Sequence, residues 1–127
     1  MRNQMGRINK VCLWAVPVMV LLCVVGVGYI LLSIDSGVKN YAAQAQALHP
    51  HPDDDGLALI EFLRAYEHPL AERNHAVWAL GRLRDARALP LLEDFYTGEE
   101  CAHGEALCQS ELEKAIARCS LSSRDLF

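Results

Sequence analysis

The longest uncharged stretch of this chain constrains its fold more than any other feature. Residues 11–34 read VCLWAVPVMVLLCVVGVGYILLSI and contain no Asp, Glu, Lys or Arg. At about 1.5 Å of rise per residue, a helix of this length reaches about 36 Å. That length exceeds the ~30 Å of hydrocarbon in a bilayer. The run therefore predicts one membrane-spanning helix.

A cleaved secretion signal is the alternative interpretation, because such signals also place an apolar segment after basic residues. The run is longer than such a segment, and cleavage after the small residues Gly26-Val27-Gly28 would leave YILLSI as an apolar tail. We therefore expect an anchor that is not cleaved. Under either interpretation the rest of the chain leaves the cytoplasm.

Charge is distributed unevenly around this run. Residues 1–34 carry three basic residues and no acid, whereas residues 35–127 carry nine basic and sixteen acidic residues. Because basic flanks stay in the cytoplasm, residues 1–10 should be cytoplasmic and the C-terminal part extracytoplasmic, on the periplasmic side if the cell is bacterial. The acidic balance of the exported part argues against a nucleic-acid partner, which would require a clustered basic face.

The exported part divides into a connector, a helical domain and a tail. Residues 35–55 have the composition of a juxtamembrane connector, in which the Ala- and Gln-rich stretch 41–48 favours helix and the following HPHP ends it. The helical domain is predicted over 56–119 and the tail over 120–127. Apolar residues recur there at helical spacing, and no segment alternates as a strand does. The predicted helices cover 56–67, 69–83, 86–96 and 105–119.

The middle of this domain carries a family resemblance. The segment ERNHAVWALGRLRDARALPLLEDFY resembles a HEAT-type repeat, in the short variant shared with phycobilisome lyase proteins. The positions that carry the resemblance are Ala76, Leu80, Gly81, Asp85, Ala86, Leu89, Pro90 and Leu91 or Leu92. The resemblance implies an all-α fold, in which the membrane helix precedes a small HEAT-like α-hairpin, a short α-solenoid. The core residues expected from it are Ala76, Leu80, Gly81, Leu89 and Leu92.

So short a solenoid needs additional support, since stacked repeats bury their faces only against neighbours. Cysteines could supply it. Cys101 and Cys108 in CAHGEALC can meet across a loop, and an exported domain favours a disulfide between them. Cys108 and Cys119 would stand about 16 Å apart on the predicted fourth helix, too far for a disulfide. A metal site formed with His103 and free thiols are the alternatives that remain open.

Basic residues and one tryptophan are candidates for contact with a partner. The candidates are Arg73, Trp78, Arg82, Arg84 and Arg87. Three of them, Arg82, Arg84 and Arg87, lie at or near the corner between the second and third predicted helices, where a solenoid exposes a ridge. The alternative is that the arginines are helix-end cations in local ion pairs and that the tryptophan lies between helical layers.

No motif in the chain indicates catalysis. The sequence contains no serine-nucleophile motif, phosphate-binding loop or dinucleotide-binding glycine pattern. We therefore expect no catalytic residues and no cofactor, and predict a membrane-anchored module that binds or scaffolds an unidentified protein. Two alternatives remain. The resembled family includes chromophore lyases, which would make the chain an enzyme or enzyme subunit, and the Cys/His loop could form a metal or redox sensor.

Overall fold

The computed structural model describes the backbone of residues 2–124 and the side chains of residues 14–122 and 124. Within residues 2–124 every regular element is helical and there is no strand, which confirms the predicted all-α class. The elements are α1 (Arg2–Leu48), α2 (Asp55–Arg64), α3 (Leu70–Leu83), a 3-10 turn (Ala86–Ala88), α4 (Leu89–Phe95) and α5 (Gln109–Arg124).

The chain divides into two compact units between Ser36 and Gly37. The first unit contains the apolar run of α1. In the described residues, Trp14–Leu48 contains an 18-residue window with a mean hydropathy of 2.6, none of which is buried. By length and composition this helix can cross a membrane. The large side chains of this part, such as Trp14 and Leu22, are exposed over more than half of their surface.

The second unit begins earlier than the predicted start at residue 56. The last turns of α1 belong to it, and Ala42 and Ala45 are only 2% and 1% exposed within its apolar core. Part of the predicted 35–55 connector is therefore core. The reason is a narrow stripe of small side chains at helical spacing, which allows close helix packing although the segment reads as polar. The helix ends at Leu48, as the HPHP sequence predicts.

The short helices pack on two longer ones: α2 contacts α3, and α4 contacts α5. The N-cap of α2 is Asp54, whose carboxylate accepts a hydrogen bond from the Leu57 amide at 2.9 Å. Helix α3 packs against both α2 and α5. Against α5 the approach is very close, since a Cβ atom at Gly81 would lie 2.9 Å from the Cα of Ala115. A side chain at position 81 would therefore force the two helices apart.

Several helix boundaries differ from the sequence prediction, most clearly those of the last two helices. Asp85 caps the turn after α3 by accepting from the Arg87 amide, and the chain makes a 3-10 turn before α4 starts at Leu89. The last helix starts at Gln109 and not at 105, because the chain turns back on itself at Ala102 and passes through Gly104 at φ 90°. Cys108 consequently precedes α5. That helix also continues past Cys119 into the predicted tail.

The expected core residues fall into two groups. Ala76, Leu80, Gly81 and Leu92 are buried, and Leu80 and Leu92 are fully so. Leu89 is only partly buried, against the expectation of full burial, because it lies at the first position of α4 and packs on the edge of the core.

Candidate functional site

The structure brings Cys101 and Cys108 together. Their Sγ atoms are 2.8 Å apart, although six residues separate them in the chain. The Cys108 amide donates to Asn74 Oδ1 on α3 at 2.9 Å, and the neighbouring Leu107 is buried in the core. The Ser110 amide, in the first turn of α5, donates to Cys101 Sγ at 3.3 Å. The loop is thus fixed at both sides of the thiol pair.

The two kinds of thiol in this unit differ electrostatically. The pKa of Cys101 is lowered, first by the hydrogen bond from Cys108 and then by the Ser110 amide, while the charge of Glu111 opposes the shift. Cys119 is fully buried beside Leu80 O, and burial raises the pKa of its thiol to about 11. Of these two thiols, Cys101 is therefore the one whose surroundings favour the thiolate.

His103 does not join the two cysteines. Its side chain is exposed on the loop. Among the described side chains, no group of three or more His, Cys, Asp or Glu residues is arranged to hold a metal ion. The geometry therefore does not favour the alternative in which Cys101, His103 and Cys108 bind a metal.

A second feature is an aromatic groove between the last turns of α1 and α3. Tyr41 stacks on His75 with ring centroids 4.5 Å apart and meets Trp78 edge-on at 6.0 Å. Trp78 is half-buried, and its ring lies 3.3 Å from where a Cβ of Gly37 would be. The groove has a volume of about 370 Å³. It is lined by Gly37, Tyr41, Asn74, His75, Trp78 and Glu111.

Of the basic candidates for partner contact, Arg82 lies beside this groove. The Arg82 guanidinium carbon lies 5.6 Å from the centre of the Trp78 ring, within cation–π range. Arg84 is exposed at the corner after α3, where it adopts a left-handed backbone at φ 54°. Trp78, Arg82 and Arg84 therefore remain available at one end of α3.

Arg73 does not lie on a partner surface, against expectation. It is 6% exposed, and its Nε donates to Leu63 O at 3.0 Å. Its guanidinium lies over the rings of Tyr66 and Phe95, at 4.6 and 5.3 Å from their centres. The residue occupies the same α3 stripe as Ala76 and Leu80, three and seven positions later. This helical spacing indicates that Arg73 is buried. In the sequence alone, the charge of the residue suggests the opposite.

Arg87 is exposed but engaged in ion pairs. Its guanidinium contacts Asp54 at 2.7 Å and Asp85 at 2.6 Å, which joins the N-cap of α2 to the corner after α3. These hydrogen bonds hold the pKa of Asp54 and of Asp85 below the usual range and raise the pKa of Arg87. The local ion-pair alternative therefore describes Arg87 better than the partner-binding expectation.

Sequence reasoning missed a polar cluster that connects the ends of α1 and α2. His49 Nε2 lies 2.9 Å from His68 Nε2, and His51 Nε2 lies 2.8 Å from Glu61 Oε2. The pKa of Glu61 is lowered, chiefly by the hydrogen bond from His51. His49 and His68 are nineteen residues apart. Only the fold brings them together, so no local spacing could have indicated the cluster.

Comparison with known proteins provides no family for this arrangement. A search of protein-family models found no match, and searches of curated proteins and of solved structures found no significant match.

Proposed function

We propose that this chain is a single-pass membrane protein whose small helical unit, displayed outside the cytoplasm, binds another membrane protein. The observation that carries the proposal is the aromatic groove of Tyr41, His75 and Trp78. Trp, Tyr and Arg side chains are enriched at the energetic centres of protein interfaces. Here a Trp, a Tyr and the nearby Arg82 occur together on one small surface.

The anchor follows from the chemistry of the first unit. An uncharged helix with large exposed apolar side chains is stable in lipid and costly in water. The orientation follows from the three basic residues before residue 11, which retain the N-terminus in the cytoplasm.

The helical unit is, in this proposal, a short solenoid of the HEAT type. Its support is the packing of α3 against both α2 and α5, together with the close contact of Gly81 and Ala115. Stacked helices of this kind present extended surfaces for binding. A scaffolding role is the consequence.

The partner is a membrane protein because of where the groove starts along the chain. Gly37, one of the lining residues, directly follows the last residue of the apolar unit. In an anchored chain, a partner held in the same membrane meets this surface at high effective concentration. The half-buried Trp78 leaves room for an apolar side chain of that partner, and Arg82 and Glu111 flank it with opposite charges.

Site-specific photocrosslinking in intact membranes tests this proposal. A photoreactive amino acid replaces His75, which is exposed in the groove, and in a second chain it replaces Asp94, which is exposed on α4. We expect one discrete membrane-protein adduct from position 75 and none from position 94. Trp78→Ala should abolish the adduct. The same adducts at both positions, or no adduct at position 75, would overturn the proposal.

A further inference from the structure

We propose that Cys101 and Cys108 form a reversible dithiol–disulfide site that exchanges with small organic disulfides, preferably cationic ones. Cys101 is the attacking thiolate, and Cys108 is the thiol that resolves the mixed disulfide. The inference is independent of the partner-binding proposal, because it concerns the loop before α5 and not the aromatic groove. Its basis is the 2.8 Å separation of the two Sγ atoms.

The surroundings distinguish the two thiols. Cys101 borders an open recess of about 210 Å³, whereas Cys108 does not line it. The Ser110 amide at the start of α5 points to Cys101 Sγ, and a helix N-terminus stabilises negative charge. Cys108 supplies a further hydrogen bond when Cys101 is ionised. Both the lowered pKa of Cys101 and its access to the recess assign the first attack to it.

The exchange proceeds in two balanced steps. In the first, the Cys101 thiolate attacks one sulfur of R–S–S–R, a bond forms between Cys101 Sγ and that sulfur, and R–S⁻ leaves. In the second, Cys108 loses its proton and its thiolate attacks Cys101 Sγ, which expels the second R–S⁻. The two leaving thiolates end as two R–SH, with two protons transferred in total from the protein thiols. The protein dithiol is oxidised and the organic disulfide is reduced.

Little movement separates the reduced pair from the disulfide. A disulfide bond is about 2.05 Å long, and the two sulfur atoms are already 2.8 Å apart. The hydrogen bond from the Cys108 amide to Asn74 holds the resolving residue in place. Resolution should therefore be fast relative to the first attack.

Charge around the recess determines which disulfide reacts. Its lining includes Glu99, Glu100 and Glu113. Glu111, in the first turn of α5, is a further carboxylate close to the thiols, but Lys114 Nζ pairs with it at 2.8 Å, so the three glutamates of the lining supply the net negative charge. Such a surface concentrates cations and repels anions, and salt weakens both effects. A cationic disulfide is therefore the better substrate.

The test uses the full-length reduced chain in detergent, in a background in which Cys12, Cys23 and Cys119 are replaced by Ala. The probes are cystamine, which is cationic, and dithiodipropionate, which is anionic and of similar size. With cystamine the dithiol chain should release two thiols and end as an intramolecular disulfide, identified by intact mass. Cys108→Ser should stop at one mixed disulfide on Cys101. Cys101→Ser should react at least about tenfold more slowly.

A second comparison tests the charge selectivity. Cystamine should react about tenfold faster than dithiodipropionate at low salt, and the ratio should approach one as ionic strength rises. Glu99→Gln with Glu100→Gln should reduce the ratio without changing the order in which the cysteines react. Equal rates for Cys101→Ser and Cys108→Ser, or a mixed disulfide that persists in the dithiol chain, would overturn the assigned roles. A ratio independent of salt would overturn the selectivity.

Discussion

The two parts of α1 belong to one continuous helix and have opposite surface chemistry. Before Ser36, large apolar residues such as Trp14 and Leu22 are 73% and 66% exposed. After Gly37, the most deeply buried residues are small: Ala42 and Ala45 are almost completely buried, and Tyr41 packs beside them partly buried. Residues 14–34 of the first part carry uncharged, mostly apolar side chains on every side, whereas the second part is apolar along one stripe only.

The size and distribution of the apolar residues therefore indicate what a helix packs against. A helix that is hydrophobic all round requires lipid or a large protein core. A stripe of alanines among polar residues permits close approach to another helix at little cost in side-chain entropy. The chain changes from one kind of helix to the other between residues 36 and 37, without a break in its backbone hydrogen bonding.

The largest expected effect distinguishes the two parts by charge. Leu22→Arg with Val25→Arg places two cations near the middle of the apolar run and should cost about 5 to 7 kcal/mol of membrane insertion. The matched control is Ala43→Arg with Ala47→Arg, on the exposed face of the second part. Alkaline carbonate extraction of membranes should release only the first variant. If both variants stay in the membrane, the proposed difference between the two parts of α1 is contradicted.

The second-largest effect is expected from shortening a side chain in the core. Leu80→Ala, in the fully buried core of the second unit, should lower the free energy of unfolding by about 2 to 5 kcal/mol through lost burial and a cavity. Leu22→Ala, in the exposed first part, should leave the unfolding of the second unit unchanged. Trp78 fluorescence in a Trp14→Phe background reports this transition. An unaltered transition in Leu80→Ala would contradict the packing around α3.

The sequence was sufficient to predict what depends on local pattern. The apolar run and the end of α1 before HPHP both follow from neighbouring residues. The features that the sequence did not predict depend on contacts between residues far apart in the chain. Arg73 is buried because Tyr66 and Phe95, from other elements, cover its guanidinium. The histidine cluster similarly requires the ends of α1 and α2 to meet.

A smaller effect tests the alanine stripe directly. Ala45→Leu adds a large side chain where α1 packs against the core, and overpacking of this kind costs about 1 to 3 kcal/mol. Ala15→Leu makes the same change in the exposed first part and should have no effect on the second unit. Trp78 fluorescence during denaturation compares the two chains. Equal stability would mean that the last turns of α1 are not part of the core.

The smallest expected effect lies at the polar end of the second part. Gln46 of α1 exchanges two hydrogen bonds with the backbone of His51, whose ring contacts Glu61 on α2. The folded pKa of Glu61 lies below the ordinary value of 4.5. A depressed carboxyl pKa stabilises the fold above the unfolded pKa, and this stabilisation is lost as the pH falls through the folded pKa.

Glu61→Gln should therefore lower the melting temperature at pH 6, and its effect should diminish as the pH falls from about 4.5 through the lower folded pKa of Glu61, where the folded carboxylate becomes protonated. Glu93→Gln, at an exposed site on α4, is the matched control and should change little at either pH. The measurement is the melting temperature of the three chains across this range. Because all the groups of this contact are partly exposed, the effect should also weaken at high salt. A difference between wild type and Glu61→Gln that is independent of pH would show that α1 is joined to α2 by packing alone.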